Sequence, residues 1–154
     1  MKIISAESLT RELAAVYPGT RLVDAWGETS LFYNPDEKLP RGVYFATVKS
    51  KDGDNDKASN LDRDGVFRLN LGTSPKLFRE RFGAPPARPA KGGHVDGPWD
   101  FTQSNCLTPH PVYGWMSWVS ILNPNADSLK QLQPMIDAAY DKAVAAFDKR
   151  VAKL

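Results

Sequence analysis

Val66-Phe67-Arg68-Leu69-Asn70-Leu71-Gly72 alternates apolar and polar side chains, the period of two that a strand imposes because successive residues face opposite sides of a sheet. Val66, Phe67, Leu69 and Leu71 supply the apolar side, and Arg68 and Asn70 point the other way. A sheet with one greasy face and one polar face needs a cover for the first only, which predicts helices packed on one side of an antiparallel sheet. The polar face then carries an arginine and an asparagine in line, as either an anchored ion-pair network or a ligand-facing site.

The flanks of this strand differ in charge. Upstream, Ser50 to Val66 is acidic: Asp52, Asp54, Asp56, Asp62 and Asp64 outnumber Lys51, Lys57 and Arg63. Downstream, Ser74 to Lys91 is basic, with Lys76, Arg79, Arg81, Arg88 and Lys91 against Glu80. Thr73 or Ser74 can cap a short helix with Pro75 at its first position and Gly83 at its end, so Lys76, Arg79 and Arg81 fall on that helix.

Further out, Leu9, Leu13, Val16 and Tyr17 recur at helical spacing from Ala6 until Pro18-Gly19 stops them. Strands are expected at Leu22 to Trp26 and Thr29 to Tyr33, around a Gly27-Glu28 turn, and at Val43 to Ser50. A fifth runs from Met116 to Leu122, with Trp118, Ser120 and Leu122 on one side. The closing helix has a stripe of Leu129, Leu132, Ile136, Ala139, Tyr140, Ala143, Phe147 and Val151. Pro134 inside that stripe predicts a kink, or a break with Pro134 as the first residue of the main helix. Residues 84–111 form a long proline- and glycine-rich loop, and its early part, 84–96, has few large apolar residues to bury.

The chain of 154 residues suits a single α+β domain, 1–154, with about five strands. Its composition, 42 % hydrophobic and 25 % charged, is that of an ordinary globular protein. Met1 to Glu7 reaches a carboxylate too early for a leader, and no stretch has the roughly 20 apolar residues of a spanning helix, so a cytoplasmic location and no membrane partner are expected. One cysteine, Cys106, excludes an internal disulfide and a multi-thiolate metal site. A net charge of +2 is too small to declare a nucleic-acid partner.

Asp52, Asp54 and Asp56 have the spacing of the first ligands of a calcium loop, but Lys57 and Arg63 stand where glycine and glutamate belong, which favours a solvated turn. Asp62 or Asp64 is the expected counter-charge of Arg68, with Arg63 or Arg68 gripping a carboxylate or phosphate if the site is a ligand's. Cys106 and His110 allow a thiolate and a base, although His110 between Pro109 and Pro111 reads better as a rigid-turn histidine bonded to backbone. His94 with Asp96 or Asp100 has no dedicated metal spacing. No catalytic residue, metal or cofactor is expected. Among the aromatics, Trp99, Phe101, Tyr113, Trp115 and Trp118, the core reading is assigned to Trp118, and a pocket role is open to Tyr113 and Trp115.

Ser59 to Leu71, Thr108-Pro109-His110-Pro111-Val112-Tyr113-Gly114-Trp115 and Leu122-Asn123-Pro124 resemble the uncharacterised bacterial family known as domain of unknown function 6194, over nearly the whole chain. More distantly, Leu69-Asn70-Leu71 and Ala139-Tyr140-Asp141 are similar to MmcQ/YjbR-like proteins. That likeness implies a five-stranded antiparallel sheet with helices on one face, secretion-chaperone-like or CyaY-like, and a suggested DNA-binding role. Asn105 stands where the first resemblance leads one to expect aspartate, so a carboxylate–cation pair there would be lost or replaced.

Two classes of function lead. The first is a non-enzymatic domain, a monomer or weak dimer, that binds a small molecule or peptide on the open sheet face through Arg63, Arg68, Asn70, His110, Tyr113 and Trp115. The second is nucleic-acid binding through Lys76, Arg79 and Arg81 with Arg88 and Lys91, where phosphate neutralisation would dominate. An enzyme acting on a small molecule ranks third.

Overall fold

The computed structural model describes residues 4–154; the first three residues of the opening read for a leader lie outside it. Three helices and six strands follow in the order α1 (Ala6–Val16), β1 (Thr20–Ala25), β2 (Glu28–Tyr33), β3 (Val43–Lys49), β4 (Arg68–Gly72), α2 (Pro75–Phe82), β5 (Thr108–Pro109), β6 (Trp118–Leu122) and α3 (Ala126–Ala152). All strand pairs are antiparallel, in the order β1-β2-β3-β4-β6-β5. The strand beyond the expected five is β5, two residues that pair with β6 and bring His110 to the sheet edge.

Each helix starts where a side chain can satisfy its free amides. Ser5 and Ser8 bond reciprocally at the head of α1, Ser74 caps α2 ahead of Pro75, and Asn125 caps α3. Leu9 and Leu13 of α1, Phe78 of α2 and Leu132, Ile136, Ala139, Ala143 and Phe147 of α3 are buried, and all but Phe147 join one cluster with Leu31, Phe45, Val48, Leu69, Leu71, Val119 and Ile121 of the sheet. Tyr17 Oη donates to Asp137 at 2.6 Å and ties α1 to α3.

Pro134 neither breaks nor restarts α3, which runs without interruption from Ala126 to Ala152. Its ring lies on the exposed side, while Leu132, Met135 and Ile136 hold the opposite side to the sheet. The β1–β2 turn also shifts by one residue. Trp26 (φ 50°) and Gly27 (φ 77°) are both left-handed, as a two-residue hairpin turn requires, and Trp26 is 96 % exposed at its tip.

Residues 83–107 carry no helix or strand, yet this loop is anchored. Val95 is buried and its amide donates to the Pro111 carbonyl at 2.8 Å, and Phe101 is buried against His94. The expectation that 84–96 has little to bury is therefore corrected at Val95. No helix among the described residues is long and apolar enough to cross a membrane.

Candidate functional site

Phe67, just before β4, and Leu69 and Leu71 on it feed the helix-covered core, and Arg68 and Asn70 project to the other face, as the alternation predicts. That face is covered rather than open: Arg68 and Asn70 are both 0 % exposed. A charge so placed must be paired and every donor satisfied. Arg68 donates from Nη1 and Nη2 to the two oxygens of Asp56 (3.0 and 2.5 Å), from Nη1 to Ser59 Oγ (2.9 Å) and from Nε to Asn70 Oδ1 (2.7 Å). Asn70 passes the network on, donating to Thr47 Oγ1 on β3 and accepting from Ser120 Oγ on β6. One guanidinium thus clamps the 51–64 loop onto three adjacent strands.

The counter-charge of Arg68 is Asp56, not Asp62 or Asp64. Asp62 accepts instead from the Asp52 amide, and Asp64 is exposed. A short backbone bridge between Gly53 and Asp56 folds the loop so that Asp54 stays outside while Asp56 turns inward. The solvated-turn expectation therefore holds for Asp54 and fails for Asp56. Burial pushes the Asp56 carboxyl up, but the hydrogen bonds and charge of Arg68 outweigh it and hold it below the usual carboxylate range.

His110 completes the floor. Its Nδ1 accepts from the backbone amides of Val112 (3.0 Å) and Tyr113 (3.1 Å), so that nitrogen carries the lone pair and Nε2 carries the proton. Burial, with the neighbouring Arg68 charge, pushes its pKa well below the ordinary histidine value and keeps the ring neutral. Nε2 lies 3.4 Å from Arg68 Nη2, itself a donor, and 4.0 Å from Asp56 Oδ2. The Nε2 proton therefore has no acceptor within hydrogen-bond reach among the described residues.

Beside His110 opens a pocket of about 280 Å³. Phe32, Tyr44, Trp118, His110 and Tyr113 form an unbroken arc of ring contacts around it, with successive centroids 4.9 to 6.2 Å apart. A bulge opposite Leu31 and Phe32 puts an extra residue into β3 at Phe45. Tyr44 and Thr47, three apart, consequently share the pocket face. Gly72 pairs with Trp118, and a β-carbon on it would come within 2.8 Å of the indole, so its lack of a side chain seats that ring. Lys49, 9 % exposed, lines the pocket and makes no hydrogen bond or ion pair among the described residues. Glu28, its neighbour across the strands, lies at the same pocket but beyond ion-pair distance.

Of the residues singled out from sequence, Arg68, Asn70, His110 and Tyr113 come together here. Arg63 does not: it donates to the carbonyls of Ser59, Asn60 and Thr102 and pins two loops away from the pocket. Trp115 lies in a neighbouring groove with Arg88, whose guanidinium sits 4.8 Å from its ring, and with Lys91. Trp118, assigned to the core, is the pocket wall. Its place on the same side of β6 as Ser120 is the signal that would have found it, and Thr47 and Lys49 share a similar polar parity on β3. Among the residues named for nucleic-acid binding, Lys76, Arg79 and Arg81 are exposed on α2, which packs by Phe78 on the helical side; Arg88 and Lys91 border the groove beside Tyr113.

Both His110 nitrogens are engaged by backbone amides or face Arg68, so neither serves Cys106 as a base. Among the described residues no three histidines, cysteines or carboxylates are grouped to hold a metal. Asn105 adopts a left-handed conformation (φ 57°) and its Oδ1 accepts from the Asn125 amide at 2.9 Å; the amide oxygen caps a loop where a carboxylate was expected.

A model of a family of unknown function, DUF6194, matches residues 4–152, and the chain belongs to that family. No curated protein and no solved structure matches the chain.

Proposed function

We propose that this protein is a non-enzymatic binding domain for a small molecule, held in the pocket between Tyr44, Trp118 and His110. The observation that carries this is a pocket lined by His110, whose neutral ring, 3 % exposed, carries an Nε2 proton with no protein acceptor in reach. A buried donor left unmade costs about 1–3 kcal/mol. A ligand that supplies the missing partner recovers that cost. The aromatic arc offers a ligand apolar area on rings already fixed by one another, while the Asp56–Arg68 pair holds the floor rigid.

The test is a fragment screen with acidic, neutral and basic members, followed by amide and indole N–H spectra. Fragments that bind should move the Trp118 indole signal and the Val112 and Tyr113 amides together, and Trp118→Ala should abolish the shifts while the protein still melts cooperatively. Fragments of all three charge types leaving these signals in place, or binding unaffected by Trp118→Ala, would refute it.

A further inference from the structure

The charge of the ligand can be read from what the pocket floor leaves unpaired. His110 Nε2–H has no acceptor, and the two Asp56 oxygens nearest it are already engaged by Arg68. Lys49 is the second donor. Its stem is buried in β3 between β2 and β4, its ammonium extends under the Gly53 turn, where a β-carbon would lie 3.4 Å from Nζ, and it too has no hydrogen bond or ion pair among the described residues. Lys49 and His110 line the same pocket, and the Lys49 charge bears on both Asp56 and His110.

The Lys49 ammonium lines the pocket with no bonded counter-charge, and an oxyanion placed between Lys49 and His110 would serve both groups at once. The acids nearby limit its charge. Asp56 is neutralised by Arg68, but Glu28 lines the same pocket unpaired by Lys49 and repels a second negative charge. One wall is aromatic, with Tyr44 and Trp118 centroids 5.4 Å apart and tilted by 39°, which offers ring surface to a flat body.

We infer that the pocket is built for a planar monoanion, an aromatic or heteroaromatic carboxylate whose oxygens bond Lys49 Nζ and His110 Nε2–H while its ring lies against Tyr44 and Trp118. This rests on the binding-domain reading above and adds the ligand's charge and shape.

Calorimetric and spectral titrations with benzoate, indole-3-carboxylate, their carboxamides and phenylphosphonate separate the two levels. Each carboxylate should bind about tenfold or more tightly than its amide, a difference near 1.4 kcal/mol, and phenylphosphonate, carrying more charge at slightly alkaline pH, should bind less tightly than benzoate. Lys49→Met, checked by thermal melting for a native fold, should erase the preference for carboxylate over amide. Equal affinity for acid and amide, a preference that survives Lys49→Met, or tightest binding of phenylphosphonate would overturn the monoanion assignment and leave a small-molecule pocket standing. Failure of acids and amides alike to move the Trp118 indole signal would instead remove the binding-domain reading, and this inference with it.

Discussion

The two faces of the sheet are both buried at β4, by opposite means. Beneath the helices, Phe67, Leu69 and Leu71 meet Leu9, Leu13, Phe78 and Ile136 in a dry apolar cluster. Beneath the loops, Arg68 and Asn70 are as fully buried, but in a network that satisfies each polar atom by a directed bond. The first face tolerates approximate partners because apolar attraction has no direction; the second depends on particular atoms. That contrast separates a face that stabilises from a face that holds a site in shape.

The comparison is broken most severely from the helical side. Ile136→Asp puts an unpaired charge into the core and should cost about 4–5 kcal/mol or more, abolishing cooperative melting by circular dichroism. A variant that still melts cooperatively would show that α3 does not cover the sheet as described.

From the polar side, Arg68→Ala strands Asp56 in a mostly buried position and should cost about 3–5 kcal/mol in urea unfolding. Removing both partners, Asp56→Ala with Arg68→Ala, should cost less than the sum of the single changes, because neither charge is then left alone. Additive losses would mean that the pair does not couple.

The polar face should also respond to pH, and the apolar face should not. Unfolded His110 takes up a proton near pH 6.5, whereas the folded ring resists until well below it. The unfolded state then binds more protons, so stability is fully present above pH 6.5 and declines as pH falls toward the folded value. Asp56, with its folded pKa below 3.8, adds a second loss as pH falls through that lower value. His110→Gln should flatten the first decline in denaturant midpoints measured from about pH 7 to pH 5; an unchanged slope would assign it elsewhere.

The smallest effects sharpen the distinction within one loop. Asp54→Ala and Asp64→Ala, at exposed positions, should change stability by no more than about 0.5 kcal/mol, while Asp56→Asn, a few residues away, should be plainly destabilising. Three similar responses would contradict the inward turn of Asp56.

How far each face is legible in sequence follows from the same physics. The apolar face repeats every two residues in β4 and every three to four in α3, so periodicity alone places Leu69, Leu71, Ile136 and Ala139. On the polar face the sequence shows that Arg68 and Asn70 share a side, because parity is local. It does not show which acid answers Arg68: Asp52, Asp54 and Asp56 are chemically identical, and only the Gly53–Asp56 bridge turns one of them inward. Nor does it show the β3 bulge that aligns Tyr44 with Thr47, since an added residue leaves the composition of a strand unchanged. Lys49 and Trp118 were within reach, each sharing its parity with a polar neighbour.

The claim on which the site depends is that His110 is neutral and protonated on Nε2. Long-range proton–nitrogen correlation spectra of the imidazole, recorded from about pH 5.5 to pH 8, measure this directly. The structure predicts a bare Nδ1 and a protonated Nε2 throughout, with no titration near the ordinary histidine value. A proton on Nδ1, or a ring that charges near pH 6.5, would contradict the account.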